Sequence, residues 1–369
     1  VLVLLILALT PRVHDAVHEG RKPKLDGVGT VLSAAGVGLV VLGTLQSSSW
    51  GWLQPKDSPV TPFGFSLTPW VIAAGALCLW GFVQWQHRRE SQGKDPLVHL
   101  SLLRIPPLRA GLIGLFSQNL ILMGAFFVIP LYLQLVLGFD ALETGIKMLP
   151  VSILMFLASA IGARLSTRFS VRGIVRSGLV TTTVGVLWLL ATVDPELNET
   201  GFALAMAVLG AGMGLLASQL GNVVQSSVDS SGRGEAGGLQ YTGQQLGSSL
   251  GVALIGAIVI SGLAGVFISQ VKNDSRISAE IQSQVTVAVE PGIDFLSAAQ
   301  VETIATDAGL DAATTAAIVE DYSTAQLQAL KAGLLVAALL ALGSLAFTRD
   351  LPHDDPRKTG TDQPQLATA

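Results

Sequence analysis

Residues 108–137 read LRAGLIGLFSQNLILMGAFFVIPLYLQLVL, a stretch whose only charge is Arg109. A helix rises about 1.5 Å per residue and the hydrocarbon core of a bilayer is about 30 Å thick, so about 20 such residues cross it. A water-soluble core does not require an unbroken apolar run of this length. The stretch therefore predicts a membrane-spanning helix that tilts or emerges into water. It is a helix because backbone polar groups in hydrocarbon must be satisfied within the segment.

Comparable runs lie on both sides of it, at Val28–Gln46, Leu67–Gln84, Thr144–Ala163, Ile174–Val193, Phe202–Leu220, Gly237–Ile268 and Ala332–Phe347. Composition agrees: 50% of the chain is hydrophobic and 13% is charged, against about 25% charged in soluble domains. The fold class is an all-α integral membrane protein. The opening run, Val1 to Thr10 before Pro11, is too short to span and no basic segment precedes it. It reads as the end of a truncated transmembrane helix rather than as a cleaved signal peptide.

Charge assigns the sides. Arg12, Arg21, Lys22 and Lys24 occupy one loop, and Arg88, Arg89, Lys94 and Arg104 another on the same side. Arg164, Arg168, Arg172, Arg233, Arg349, Arg357 and Lys358 continue the series, whereas the alternate loops hold Lys56, Lys272 and Arg276. Short basic loops stay in the cytoplasm, so this pattern predicts a multi-pass protein of the cytoplasmic membrane with its C-terminus inside. The gap from about Ser269 to Lys331 then lies outside. It is acidic in balance, and Ser297 and Asp311 each precede a periodic run in the manner of helix caps.

Several chemistries are disfavoured. Cys78 is the single cysteine, so neither a disulfide framework nor a thiolate metal site is available. His14 and His18 are one helical turn apart, but Glu19 alone beside them does not define a metal site. Gly210–Gly214 reads GAGMG inside a membrane run, where small residues serve close helix packing rather than phosphate binding. The basic loops are short and bounded by spans, unlike nucleic-acid patches, and no Ser/His/Asp cluster suggests an enzyme. No cofactor is expected.

Polar groups inside the spans are costly in hydrocarbon and face other helices or a watery path. Gln118 and Asn119 lie within the third span, with Tyr132 and Gln134 near its end; Gln240, Tyr241, Gln244 and Gln245 open the seventh. Gln240 and Gln244 share a helix face. Phe126, Phe127 and Tyr132 could supply an aromatic wall for a hydrophobic ligand. Gln118, Asn119, Phe126, Phe127, Tyr132, Gln134, Gln240 and Gln244 are thus candidates for a substrate path, with plain helix packing as the competing explanation. Gly243, Gly247 and Gly251 recur every four residues and permit a close backbone crossing.

The ordered motifs resemble the C-terminal part of a major facilitator superfamily transporter of the 14-helix drug:proton antiporter family. The residues carrying the resemblance are Asp26-Gly27-Val28-Gly29, Pro130-Leu131-Tyr132-Leu133-Gln134, Gly138-Phe139-Asp140-Ala141 and Gly145-Ile146-Lys147-Met148-Leu149-Pro150, followed by Gly210–Gly214 and Gly234-Glu235-Ala236-Gly237-Gly238. The family's cytoplasmic G-x-L-x-D-R-x-G-x-R pattern is echoed from Ala163 to Arg172. Leu165, Arg168 and Arg172 hold their places there, while Thr167 replaces the acidic residue and Ser170 the second glycine.

The resemblance implies a C-terminal six-helix half plus two additional helices. It divides the chain into 1–10 (end of a truncated span), 11–27 (cytoplasmic linker), 28–86 (the extra pair) and 108–347 (the six-helix half, carrying 269–331 as an external helical insertion), with 348–369 as a cytoplasmic tail. Arg164, Arg168 and Arg172 become gate or topology residues. The implied activity is efflux of small hydrophobic or amphipathic compounds by antiport with H+, the coupling carboxylates and the rest of the path lying in an N-terminal half of the same chain. Asp26, Asp140, Glu143 and Glu235 fall at helix ends and suit proton relay poorly. The alternative is a non-transporting membrane fragment or a partner-dependent half-transporter.

Overall fold

The computed structural model describes residues 26–55, 58–94, 96–229, 232–289 and 295–353, without the side chain of Ser48. The opening run Val1–Thr10, the linker with His14 and His18, and the basic residues Arg357 and Lys358 lie outside the described residues. Among the described residues every regular element is helical, and eight helices are long and apolar enough to cross a membrane.

The helices are α1 (Gly27–Trp50), α2 (Thr68–Ser91), α3 (Pro106–Leu131), α4 (Ala141–Leu165), α5 (Val171–Ala191), α6 (Glu199–Ser226), α7 (Arg233–Asn273), α8 (Ala279–Val289), α9 (Ala298–Asp307) and α10 (Ala312–Gly343). Their starts follow local capping chemistry. Asp140 and Glu143 form a reciprocal capping box at α4, and Ser297 with Gln300 forms another at α9. Ser170, Asn198 and Asp311 cap α5, α6 and α10 with their side chains. Pro130 withdraws one N–H from the end of α3, and the chain widens into a π-turn over Tyr132–Val136 before Gly138 stops it at φ 75°.

The last span differs from its sequence-based limits. Rather than starting near Ala332, α10 begins at Ala312 and runs unbroken into the 3-10 segment Ser344–Asp350. The capped, alanine-rich stretch from 312 to 331 contains no Gly or Pro to interrupt it. α7 has 41 residues, or about 60 Å of helix, roughly twice the thickness of the hydrocarbon. Both α7 and α10 therefore project beyond the membrane, and α8 and α9 pack against their projecting ends.

Glycine decides how closely the spans approach. α6 is held between α4 and α5. A Cβ on Gly210 or Gly214 would collide with the carbonyl oxygens of Val151 and Met155 on α4, and one on Gly212 would lie 2.5 Å from the Thr182 nitrogen of α5. GAGMG is thus a two-sided packing surface. α3 runs alongside α7, while α10 fills the angle between α7, α5 and α3. α1 and α2 form a hairpin whose first helix leans on α7. Most of α4 faces outward, exposing Leu142, Ile146, Leu149, Ile153, Phe156, Leu157 and Ile161, as suits a helix that lies against lipid.

Candidate functional site

The α3–α7 seam organises the polar groups singled out from sequence. Gly247 abuts the Phe116 carbonyl and Gly251 the Leu120 carbonyl, each too close to admit a Cβ; Gly243 stands off, with 3.7 Å available to the Leu112 oxygen. On the other helix, Gly124 admits Ile255, whose Cγ1 lies 2.6 Å from where a Cβ would be. This four-residue ridge on each helix fixes which side chains remain between them and which are turned away.

Gln118 is buried, and its amide Nε2 donates to the Met213 carbonyl at 3.1 Å, joining α3 to α6. Asn119 is half-buried and donates to Leu115 O of its own helix at 2.9 Å. The Tyr132 ring is fully buried and its hydroxyl donates to Asp194 O at 2.8 Å, with Thr192 O at 3.2 Å, tying the end of α3 to the α5–α6 connection. Phe126 and Phe127 pack against the core, Phe127 with its ring beside Gly256. Gln134 is exposed. Gln240 accepts from Gln225 of α6 at 3.3 Å, and Gln244 is half-buried with no side-chain hydrogen bond among the described residues.

Tyr241 and Gln245 were grouped with Gln240 and Gln244 by sequence, and the structure separates the two pairs. Tyr241 is 64% exposed, and Gln245 and Ser249 follow it at four-residue steps on the same uncovered face of α7. A polar stripe left open on a membrane helix is costly against lipid and fits a water-accessible path or another helix. The four-residue recurrence of Tyr241, Gln245 and Ser249 was legible in sequence, but nothing local distinguished it from the Gln240–Gln244 phase.

The arginine-rich end carries a second arrangement. Arg172, at the start of α5, donates from Nε and Nη2 to Leu351 O at 3.1 and 2.8 Å, and also to Arg349 O. Arg176 donates to Thr348 Oγ1 at 2.9 Å, and Arg109 pairs with Asp350 at 2.8 Å. Arg172 thus holds carbonyls that follow the final helix, while Arg176 and Arg109 hold the Thr348 hydroxyl and the Asp350 carboxylate of the same segment. Arg164 and Arg168 are exposed and make no side-chain pair among the described residues. His99 binds Glu235 through its backbone N–H and through Nδ1, 2.9 Å from Oε2, linking the α2–α3 connection to the start of α7.

Asp26 lies at a helix end in the sequence, and in the structure it is the hub of a buried network, only 3% exposed. It accepts from Gly29 N–H at 3.0 Å, Trp85 Nε1 at 2.9 Å and Gln86 Nε2 at 2.8 Å, with Arg89 at 3.6 Å. Gln86 in turn accepts from Leu97 N–H at 2.7 Å. Burial by itself raises the carboxyl pKa, but the three donors and the Arg89 charge outweigh it and hold Asp26 below the usual range. The cluster pins α1, α2 and the following connection together.

A model of the Major Facilitator Superfamily matches residues 27–252, more than half of the chain. The chain belongs to this superfamily. Its relatives include the tetracenomycin C resistance and export protein of Streptomyces glaucescens, 28% identical over 69% of this chain and 44% of that protein. The multidrug efflux pump LfrA of Mycolicibacterium smegmatis is 25% identical over 94% of this chain and 62% of its own length. The cephamycin export protein CmcT of Amycolatopsis lactamdurans is 28% identical over 66% of this chain and 47% of its own. The chain thus spans less than two thirds of each. The all-helical, multi-pass architecture is that of a Major Facilitator Superfamily membrane protein.

Proposed function

We propose that these residues form the second half, with the two additional helices α1 and α2, of a 14-helix exporter that expels small hydrophobic or amphipathic compounds in exchange for protons. Three relatives named for export, resistance or multidrug efflux support the efflux reading. The observation that carries the reading at the level of the site is the open polar stripe Tyr241–Gln245–Ser249 beside Gln244. It lies about half a helical turn from the Gly243–Gly247–Gly251 row that meets α3, so Asn119, Phe126 and Phe127 of α3 stand apart from it. Aromatic and amide groups such as Tyr241 and Gln245 accept an apolar body while satisfying a few polar atoms. Gln118, Tyr132 and Gln240 serve the packing of the half, because each already joins α3 or α7 to a neighbouring element through a side-chain hydrogen bond. The basic end, including Arg164, Arg168 and Arg172, lies in the cytoplasm in this reading, with the C-terminus. The closely crossed α3 and α7 move as one body when the two halves rock.

The described carboxylates sit at helix ends and in the projecting segments rather than at mid-span, so the proton-coupling groups are assigned to the other half. The test is ethidium efflux from cells expressing the complete transporter. Collapse of the proton gradient with an uncoupler is expected to abolish efflux, and persistence of efflux would overturn the coupling. Tyr241→Ala and Gln245→Ala are expected to raise the half-saturating ethidium concentration several-fold at normal expression, and Gln134→Ala to leave it unchanged. Equal, undiminished transport in all three variants would remove the stripe from the substrate path.

A further inference from the structure

Beyond the membrane, at the acidic end, α8, α9 and the projecting parts of α7 and α10 line a half-open cavity of about 420 Å³. Its volume is within the range of small-molecule sites, roughly 300–1,000 Å³. Phe267, Leu296, Val301, Ala305 and Ile318 line it, and no lining residue carries a charge. The Phe267 and Tyr322 rings meet edge to face with centroids 5.3 Å apart. Tyr322 Oη accepts from Leu296 N–H at 2.8 Å, and Gln326 donates to Leu296 O, so the polar atoms of the floor are occupied by the fold itself. An apolar hollow of this size leaves dispersion contacts unmade and apolar surface wet, unlike the close packing of an ordinary helical core.

Charge around the hollow is acidic in balance, although α7 contributes Lys272 in its last turn. α8 and α9 contain Glu280, Glu302 and Asp307, all exposed, and no Lys or Arg. On the α10 wall Glu320 is exposed, and the nearby Arg276 is already paired with Asp274 and Glu320. An apolar interior with an acidic surround suits a molecule that is apolar in body and positive in charge.

We infer that this cap is a binding site for amphiphilic organic cations, distinct from the α7 stripe within the membrane. Its probe is tetraphenylphosphonium, with tetraphenylborate as a partner of the same shape and opposite charge. Binding of each to the purified full chain in non-ionic micelles is measured by equilibrium dialysis, with empty micelles subtracted. The wild type is expected to bind the cation saturably and the anion at least tenfold more weakly. Ala305→Phe, which fills the hollow, is expected to weaken cation binding at least tenfold with an unchanged melting transition, and Tyr241→Ala is expected to leave it unaltered. Should Ala305→Phe fail to fold, Val301→Phe on the same wall serves instead. Absence of saturable binding overturns the inference. So does binding that survives cavity filling, or that disappears in Tyr241→Ala. Equal binding of the two ions overturns the role of the acidic surround. Loss of efflux with retained cation binding would count against the export reading alone.

Discussion

Adding one methyl group at Gly251 tests the α3–α7 seam most directly. A Cβ at this position overlaps the Leu120 carbonyl oxygen and lies 2.9 Å from Leu120 Cα and 3.0 Å from its carbonyl carbon. All three are backbone atoms, so no rotamer change relieves the overlap and the two helices must separate by several tenths of an ångström. Forced overpacking of this kind costs about 1–3 kcal/mol. Alanine also gains about 1 kcal/mol of helix propensity over glycine. Gly243→Ala supplies the control, since it carries the same propensity gain on the same helix but meets only the Leu112 oxygen at 3.7 Å. The difference between the two variants therefore isolates the seam, and Gly251→Ala should be less stable than Gly243→Ala by about 1–3 kcal/mol. Reversible unfolding in mixed micelles, followed by circular dichroism, measures it. Gly247→Ala should behave like Gly251→Ala, and the double variant should lose less than the sum, because helices already parted by one methyl accommodate the second. Equal stability of Gly251→Ala and Gly243→Ala would refute the argument that backbone contact sets this crossing.

The buried network at Asp26 gives a pH-linked expectation. Asp26→Asn places an amide opposite the Gln86 Nε2 donor, and the same unfolding assay should show a loss of about 1–3 kcal/mol at neutral pH. Because the folded-state carboxyl titrates below its ordinary 3.8, its stabilisation is complete above that value and is lost as pH falls through the lower folded value; the two proteins should converge only in that acid range. Tyr132→Phe removes the hydroxyl bonds to Asp194 O and Thr192 O and should cost about 0.5–1.5 kcal/mol by the same measurement; no change would mean that the hydroxyl does not tie α3 to the α5–α6 connection. Arg172→Ala should expose the segment after Ser344 to carboxypeptidase, and Arg172→Lys should restore little protection because an ammonium lacks the guanidinium fork; full protection in both variants would refute the clamp on Arg349 and Leu351.

Some of the site was readable without coordinates, and some was not. The glycines of 243–251 and of GAGMG pointed to close packing from spacing alone. Their partners, Phe116 and Leu120 in one case and Val151, Met155 and Thr182 in the other, are non-local in sequence. The polar residues divided in a way that spacing did not foresee. Gln118 and Gln240 are engaged by α6, whereas Tyr241 and Gln245 lie open one residue further along α7. Asp26 was visible only as a helix-end residue, and its partners Trp85 and Gln86 are about sixty positions away. The cap cavity left no sequence signal beyond short periodic runs, because it is formed by the arrangement of four helices rather than by a motif.

By itself the sequence determined that the chain is helical, that it enters the membrane in eight long spans, and roughly where all but the last begin. These properties depend on length, local hydrophobicity and capping, and the requirement that each span satisfy its own backbone makes them local. Only the tertiary structure decided which face of each helix is covered, which polar groups are already engaged and where a cavity remains. The reason lies in the solvent. Lipid and neighbouring helices are both apolar, so a membrane helix shows no strong amphipathic stripe to mark its buried side. Its rotation is set by glycine contacts and hydrogen bonds made with distant parts of the chain.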